Sequence, residues 1–154
     1  MDSQLKSKIL HLTNHKSYEE IKSFLETLSK SDKGPFFEWY ISKLYQGNGW
    51  ITVVSGRKND RGADVLLYHP DSPQKVTQII QAKNFKRPIT FDETRTELTK
   101  FEEQCSIKYN CNQFRIVSIN GYVKNAYSLE EWNIDLVDWQ HIKHLIECFK
   151  PDQN

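Results

Sequence analysis

Three stretches with strand character follow one another closely, and their crowding limits the fold more than any other feature. Residues 50–55 are rich in β-branched side chains, residues 64–68 form a second apolar run, and residues 76–83 a third. The intervening stretches 56–62 and 69–75 are polar, and Pro70 and Pro73 mark the second as a turn. Parallel pairing needs a crossover of about a dozen residues or more, so these three strands are expected to form an antiparallel meander. Two later strand-like runs, 114–119 and 134–137, are set apart by helical segments at 91–107 and 123–132, which favours parallel crossovers. Leu98, Phe101 and Cys105 mark the inward stripe of the first of these helices. A closing helix at 139–149 stops before Pro151. The expected fold class is α/β, a mixed central sheet flanked by helices.

Ahead of the meander, residues 1–33 are polar with an apolar rhythm of helical period: Leu5, Ile9 and Leu12, then Tyr18, Ile21, Phe24, Leu25 and Leu28. Ser17 followed by Glu20 has the spacing of a capping box. These residues read as two short helices forming an N-terminal helical arm. The main domain is expected over 34–150. It opens with a helix near Pro35 carrying Phe36, Phe37, Tyr40, Ile41, Leu44 and Tyr45, and Gly47 and Gly49 stop that helix.

The net charge of +1 does not by itself announce a polyanion partner. Its distribution is uneven, however. Arg57, Lys58 and Arg61 cluster in one loop, and Lys83, Lys86 and Arg87 in another, whereas acidic residues concentrate in 92–103 and 130–138. Cys105, Cys111 and Cys148 show no CxxC spacing, and the five histidines supply no clean zinc set, so reduced thiols are expected. No apolar run reaches membrane-spanning length and no signal-peptide stretch opens the chain, so a cytoplasmic location without a membrane partner is expected.

Strand alternation over 76–83 puts Gln81 and Lys83 on one face. Asp64 opens the neighbouring strand, and antiparallel pairing of the two brings Asp64, Gln81 and Lys83 to one rim of the sheet. Glu38, on the helix before the meander, is expected to point toward the same rim. Carboxylate and amide oxygens are what hard divalent cations bind, and a lysine beside them positions a nucleophile and offsets developing charge. Arg57, Lys58, Arg61, Lys86 and Arg87 flank this rim in sequence and are of the type that contacts phosphates.

The order of these elements, with Phe37-Glu38 on the opening helix, Gly49-Trp50 before the first strand, Asp60-Arg61-Gly62-Ala63-Asp64 and Gln81-Ala82-Lys83, resembles the PD-(D/E)xK nuclease superfamily in its Mrr-like restriction endonuclease branch. Residues 114–118 and 134–139 resemble later core segments of that branch, and the likeness runs over about 34–149. The resemblance implies a restriction-endonuclease-like core and a divalent-metal-dependent endonuclease hydrolysing phosphodiester bonds of double-stranded DNA. It implies Mg²⁺, with Mn²⁺ as substitute, held by Asp64, Gln81 and Glu38, and Lys83 as the catalytic lysine. Gln81 stands where most of the superfamily has a carboxylate, and glutamine there marks the Mrr-like branch. A chain of this size that cuts both strands is expected to work as a homo-oligomer. Two other readings share the same core: a structure-specific nuclease resembling Holliday junction resolvases, and a nuclease-like domain that binds DNA without cutting it.

Overall fold

The computed structural model describes residues 3–55 and 62–151. Helices α1 (Ser3–Asn14), α2 (Tyr18–Glu26) and α3 (Lys30–Gln46) precede strands β1 (Ile51–Val54), β2 (Val65–Tyr68) and β3 (Val76–Lys83). Then come α4 (Phe91–Lys100), a π-helical turn (Phe101–Cys105), α5 (Ser106–Tyr109), β4 (Phe114–Ser118), a 3-10 helix (Lys124–Trp132), β5 (Ile134–Val137) and α6 (Trp139–Glu147).

The five strands lie in the order β1-β2-β3-β4-β5. β1 with β2 and β2 with β3 are antiparallel, whereas β3 with β4 and β4 with β5 are parallel. The meander and the crossovers are therefore as the connector lengths require. In the β2–β3 pairing Val65 faces Ile80 and Leu66 faces Ile79, so one more step brings Asp64 level with Gln81.

Alternation along the strands sends apolar side chains into two separate cores. On one face Val65, Leu67, Ile80 and Val117 pack with Ile9, Ile21 and Leu25 of α1 and α2, with Phe37, Tyr40, Ile41 and Leu44 of α3, and with Ile142 and Ile146 of α6. On the other, Leu66, Ile79, Phe114, Ile116, Ile134 and Leu136 pack with Leu98 and Phe101 at α4 and with Ala126 and Leu129 of the 3-10 helix. Helix therefore covers both sides of the sheet. β1 is an edge strand, and its Ile51, Val53 and Val54 remain exposed.

Local details differ from expectation for identifiable reasons. α3 begins at Lys30, because Ser29 caps it by accepting from the Asp32 backbone N–H. Pro35 consequently sits inside the helix instead of opening it. Ser17 is the N-cap of α2 but makes no side-chain capping bond. A reciprocal capping box forms instead at α4, between Thr90 and Glu93. The helix expected at 91–107 is interrupted by the π turn, which carries Phe101 and Cys105 into the second core.

α1 and α2 are packed firmly onto the sheet-covering helix. Ile9, Ile21 and Leu25 are fully buried, and the Thr13 and Tyr40 hydroxyls share a hydrogen bond of 2.7 Å. Burial pushes the Tyr40 phenol well above its usual range, so it stays protonated. Asn84, just past β3, is buried as well and donates through Nδ2 to the Leu25 carbonyl at the end of α2. It therefore ties α2 to the sheet.

Candidate active site

Asp64 immediately precedes β2, where its backbone N–H donates to the Ile80 carbonyl and its own carbonyl accepts from the Ser55 N–H. The side chain is 6% exposed and turns toward β3. Its Oδ2 accepts from Gln81 Nε2 at 2.7 Å and from the Ala82 backbone N–H at 2.8 Å. An ionised carboxylate only accepts hydrogen bonds, so Gln81 must present its amide nitrogen to Asp64. Gln81 Oε1 is thereby turned away, and it is buried without a hydrogen-bond partner. A buried carbonyl left in that state costs about 1–3 kcal/mol, which a bound cation would offset.

Lys83 lies two residues further along the same strand face. Its ammonium pairs with Glu97 Oε1 of α4 at 3.2 Å and lies 5.7 Å from the centre of the Phe85 ring. Lys100 also approaches Glu97 Oε1, at 3.6 Å. The Glu97 side chain is only 10% exposed, so these two cations compensate a carboxylate withdrawn from water. Beside Lys83 a cavity of about 220 Å³ is lined by Phe85, Ile89, Asp92, Glu93, Thr96 and Glu97.

Gly62 closes the site on the loop side with φ +91°, a backbone region that favours glycine. A methyl group in place of its hydrogen would stand 3.1 Å from Gln81 Oε1 and 3.6 Å from Glu97 Oε2. The glycine thus leaves a gap faced by two oxygens from different elements.

Asp64, Gln81 and Lys83 are thus brought together as strand alternation and antiparallel pairing require. Glu38 belongs to a different element. It is half-buried on α3, which covers the opposite face of the sheet, one helical turn before Ser42, whose hydroxyl meets Thr52 of β1. Among the described residues no three His, Cys, Asp or Glu side chains gather to hold a metal ion. The amide with its stranded oxygen, next to a fixed carboxylate, suits a hard cation such as Mg²⁺ that keeps several waters.

Of the basic residues expected at DNA, Arg57, Lys58 and Arg61 lie outside the described residues, as does Asp60. Lys86 is exposed. Arg87 is held in a two-pronged pair with Glu93, at 2.7 and 2.8 Å, and stacks over Phe85 at 5.0 Å. That pair, aided by the Thr90 N–H, pulls the Glu93 carboxyl down to about 2. His141 contacts Asp138 at the start of α6, and His144 lies near Cys148 at its end.

Glu97 is the residue beside Lys83 that sequence reasoning did not select. Glu97 was nonetheless detectable. It stands three residues after buried Thr94 and four before Phe101, on the inward stripe of α4, where a carboxylate needs a partner.

No helix among the described residues is long and apolar enough to cross a membrane. No curated protein matches the chain. The crystal structure of AF1548, a protein of unknown function, superposes with a TM-score of 0.59 at 17% identity over 73% of this chain. The chain spans 64% of that protein's length, and at this identity the likeness speaks for the fold alone. An α/β core is what the two share. The model of the Mrr_cat family, described as restriction endonuclease, matches residues 29–146, from the cap of α3 to the end of the last buried turn of α6. With most of its length inside that match, the chain belongs to the Mrr_cat restriction endonuclease family.

Proposed function

We propose that this protein is a divalent-metal-dependent endonuclease that hydrolyses phosphodiester bonds of double-stranded DNA at the rim where β2 and β3 meet. The observation that carries the reading is the Asp64–Gln81 hydrogen bond of 2.7 Å with Lys83 on the same strand face, in a chain of restriction endonuclease family. Asp64 and Gln81 are the residues that would hold Mg²⁺, with Mn²⁺ as substitute, and Glu38 is retained as a candidate from the opposite face. A divalent ion bound there would supply Lewis-acid polarisation of the scissile phosphate and a more acidic water.

The chain's own groups have defined tasks in that chemistry. Two N–H donors clamp Asp64 Oδ2, so the carboxylate does not swing when charge accumulates nearby. Lys83 brings a positive charge to the same face, suited to orienting the attacking water and offsetting charge on the phosphoryl oxygens. Its pairing with Glu97 restrains the flexible side chain. Lys86 is available for phosphate contact, and Arg87 becomes available on leaving Glu93, while Arg57, Lys58 and Arg61 are proposed for the same role from their positions in sequence.

The test is a cleavage assay with Mg²⁺ on linear duplex, methylated duplex and four-way junction. Wild-type protein is expected to cut duplex. Asp64→Ala and Lys83→Ala should each reduce the rate by about a hundredfold or more, and Lys83→Ala should leave DNA binding largely intact. Unchanged cleavage in both variants would remove the assignment. Cutting of the junction alone would move the substrate to branched DNA.

A further inference from the structure

We infer that Glu97, on α4, is a ligand of the divalent cation in this site, sharing it with Gln81 Oε1 across the gap left by Gly62; the inference rests on the cation-dependent reading above. The sheet topology decides which carboxylate shares a face with the amide. Gln81 and Lys83 project from β3 toward α4, the side of Ile79 and Leu66, whereas α3 with Glu38 packs on the side of Ile80 and Val65.

Three observations converge on that gap. Gln81 is 8% exposed, and its Oε1, forced outward because Asp64 takes the amide nitrogen, is buried without a hydrogen-bond partner. Gly62 withholds the side chain that would fill the space, and Gln81 Oε1 and Glu97 Oε2 both border it. The Glu97 carboxylate is divided in its duties: Oε1 meets Lys83 and Lys100, and Oε2 faces the gap. A neutral amide contributes no charge to a cation, and Glu97 restores on this face the negative charge that Gln81 lacks. A carboxylate that held Lys83 with one oxygen and the ion with the other would also restrain the ammonium near the ion.

Mn²⁺ binding to the full chain, followed by the loss of the free Mn²⁺ paramagnetic signal without DNA, tests this independently of cleavage. Glu97→Gln is expected to weaken Mn²⁺ affinity by at least about tenfold. Asp92→Asn removes an exposed charge from the first turn of the same helix and should change the affinity less than about twofold, because solvent screens it. Should Glu97→Gln fail to fold by circular dichroism, Glu97→Asp keeps the charge but withdraws the oxygen, and is expected to show the same loss. Wild-type affinity in the Glu97 variant, or an equal loss in Asp92→Asn, overturns the ligand assignment, and so does a wild-type protein that takes up no Mn²⁺. If the wild type cuts DNA while the Glu97 variant binds Mn²⁺ normally, only this inference falls. If Mn²⁺ binding is lost in the variant and the wild type cuts no DNA, the ligand stands and the nuclease reading falls.

Discussion

Arg87 and Glu93 form a two-pronged ion pair at the surface, and its pH response follows from the direction in which the carboxyl is moved. The Glu93 carboxyl ordinarily titrates near 4.5 and is held at about 2 in the folded protein by the Arg87 guanidinium, by the Thr90 N–H and by its place in the capping box. A carboxyl lowered on folding contributes stability above its unfolded value, and that contribution disappears as pH falls toward the folded value. The gap in urea midpoint between wild type and Glu93→Gln should therefore be widest near neutrality, narrow below about pH 4.5 and close toward pH 2. A gap independent of pH would show that the glutamate acts only as a neutral cap. The same pair restrains Arg87, so Glu93→Gln should also free a cation for phosphate, seen as tighter DNA binding at low salt. At this scale Asp64, Gln81 and Lys83 were legible because strand alternation assigns faces without knowledge of distant contacts. Glu97 escaped because its partner, Lys83, belongs to another element, and no local pattern pairs them.

Among elements, the end of α3 and the end of α6 are clasped together. Asn48 donates to the carbonyls of Leu44 and Leu145, and the Lys150 N–H donates to the Gly47 carbonyl. Gly47 has an ordinary helical φ of −67°, yet a β-carbon there would overlap the Phe149 ring. Gly47→Ala should accordingly destabilise the fold by about 1–3 kcal/mol through displaced packing, read as a lowered urea midpoint with an unchanged slope. Pairing with Phe149→Leu should recover part of that loss, and an undiminished effect in the double variant would refute the overlap. Gly47 thus does two jobs, of which its sequence position announced only helix termination. Helix boundaries were otherwise the least legible feature. Ser29 competes with the more conspicuous Pro35 as a start signal, and only its bond to the Asp32 N–H reveals the winner.

Across the whole molecule, sheet order was readable because connector length leaves few topologies, whereas the pairing of α1 and α2 with the buried Tyr40 depends on three-dimensional packing. If the rim proposed above is the catalytic site and both strands of a duplex are cut, a dimer is expected in sedimentation velocity; double-strand cleavage by a strict monomer would count against it. The π turn at Phe101–Cys105 acts on this same scale. An α-helix advances about 100° per residue, and a π turn accommodates one residue more than regular winding would. α4, with Glu97, is therefore set in a different angular phase from α5 than an uninterrupted helix would give, and the turn works as a gear offset between the site and the core. Removing the exposed Glu102 from this turn should therefore restore regular winding with α4 and α5 in their present phase and Glu97 still against Lys83, whereas a one-residue deletion inside α4 would turn its two flanks against each other by about 100°.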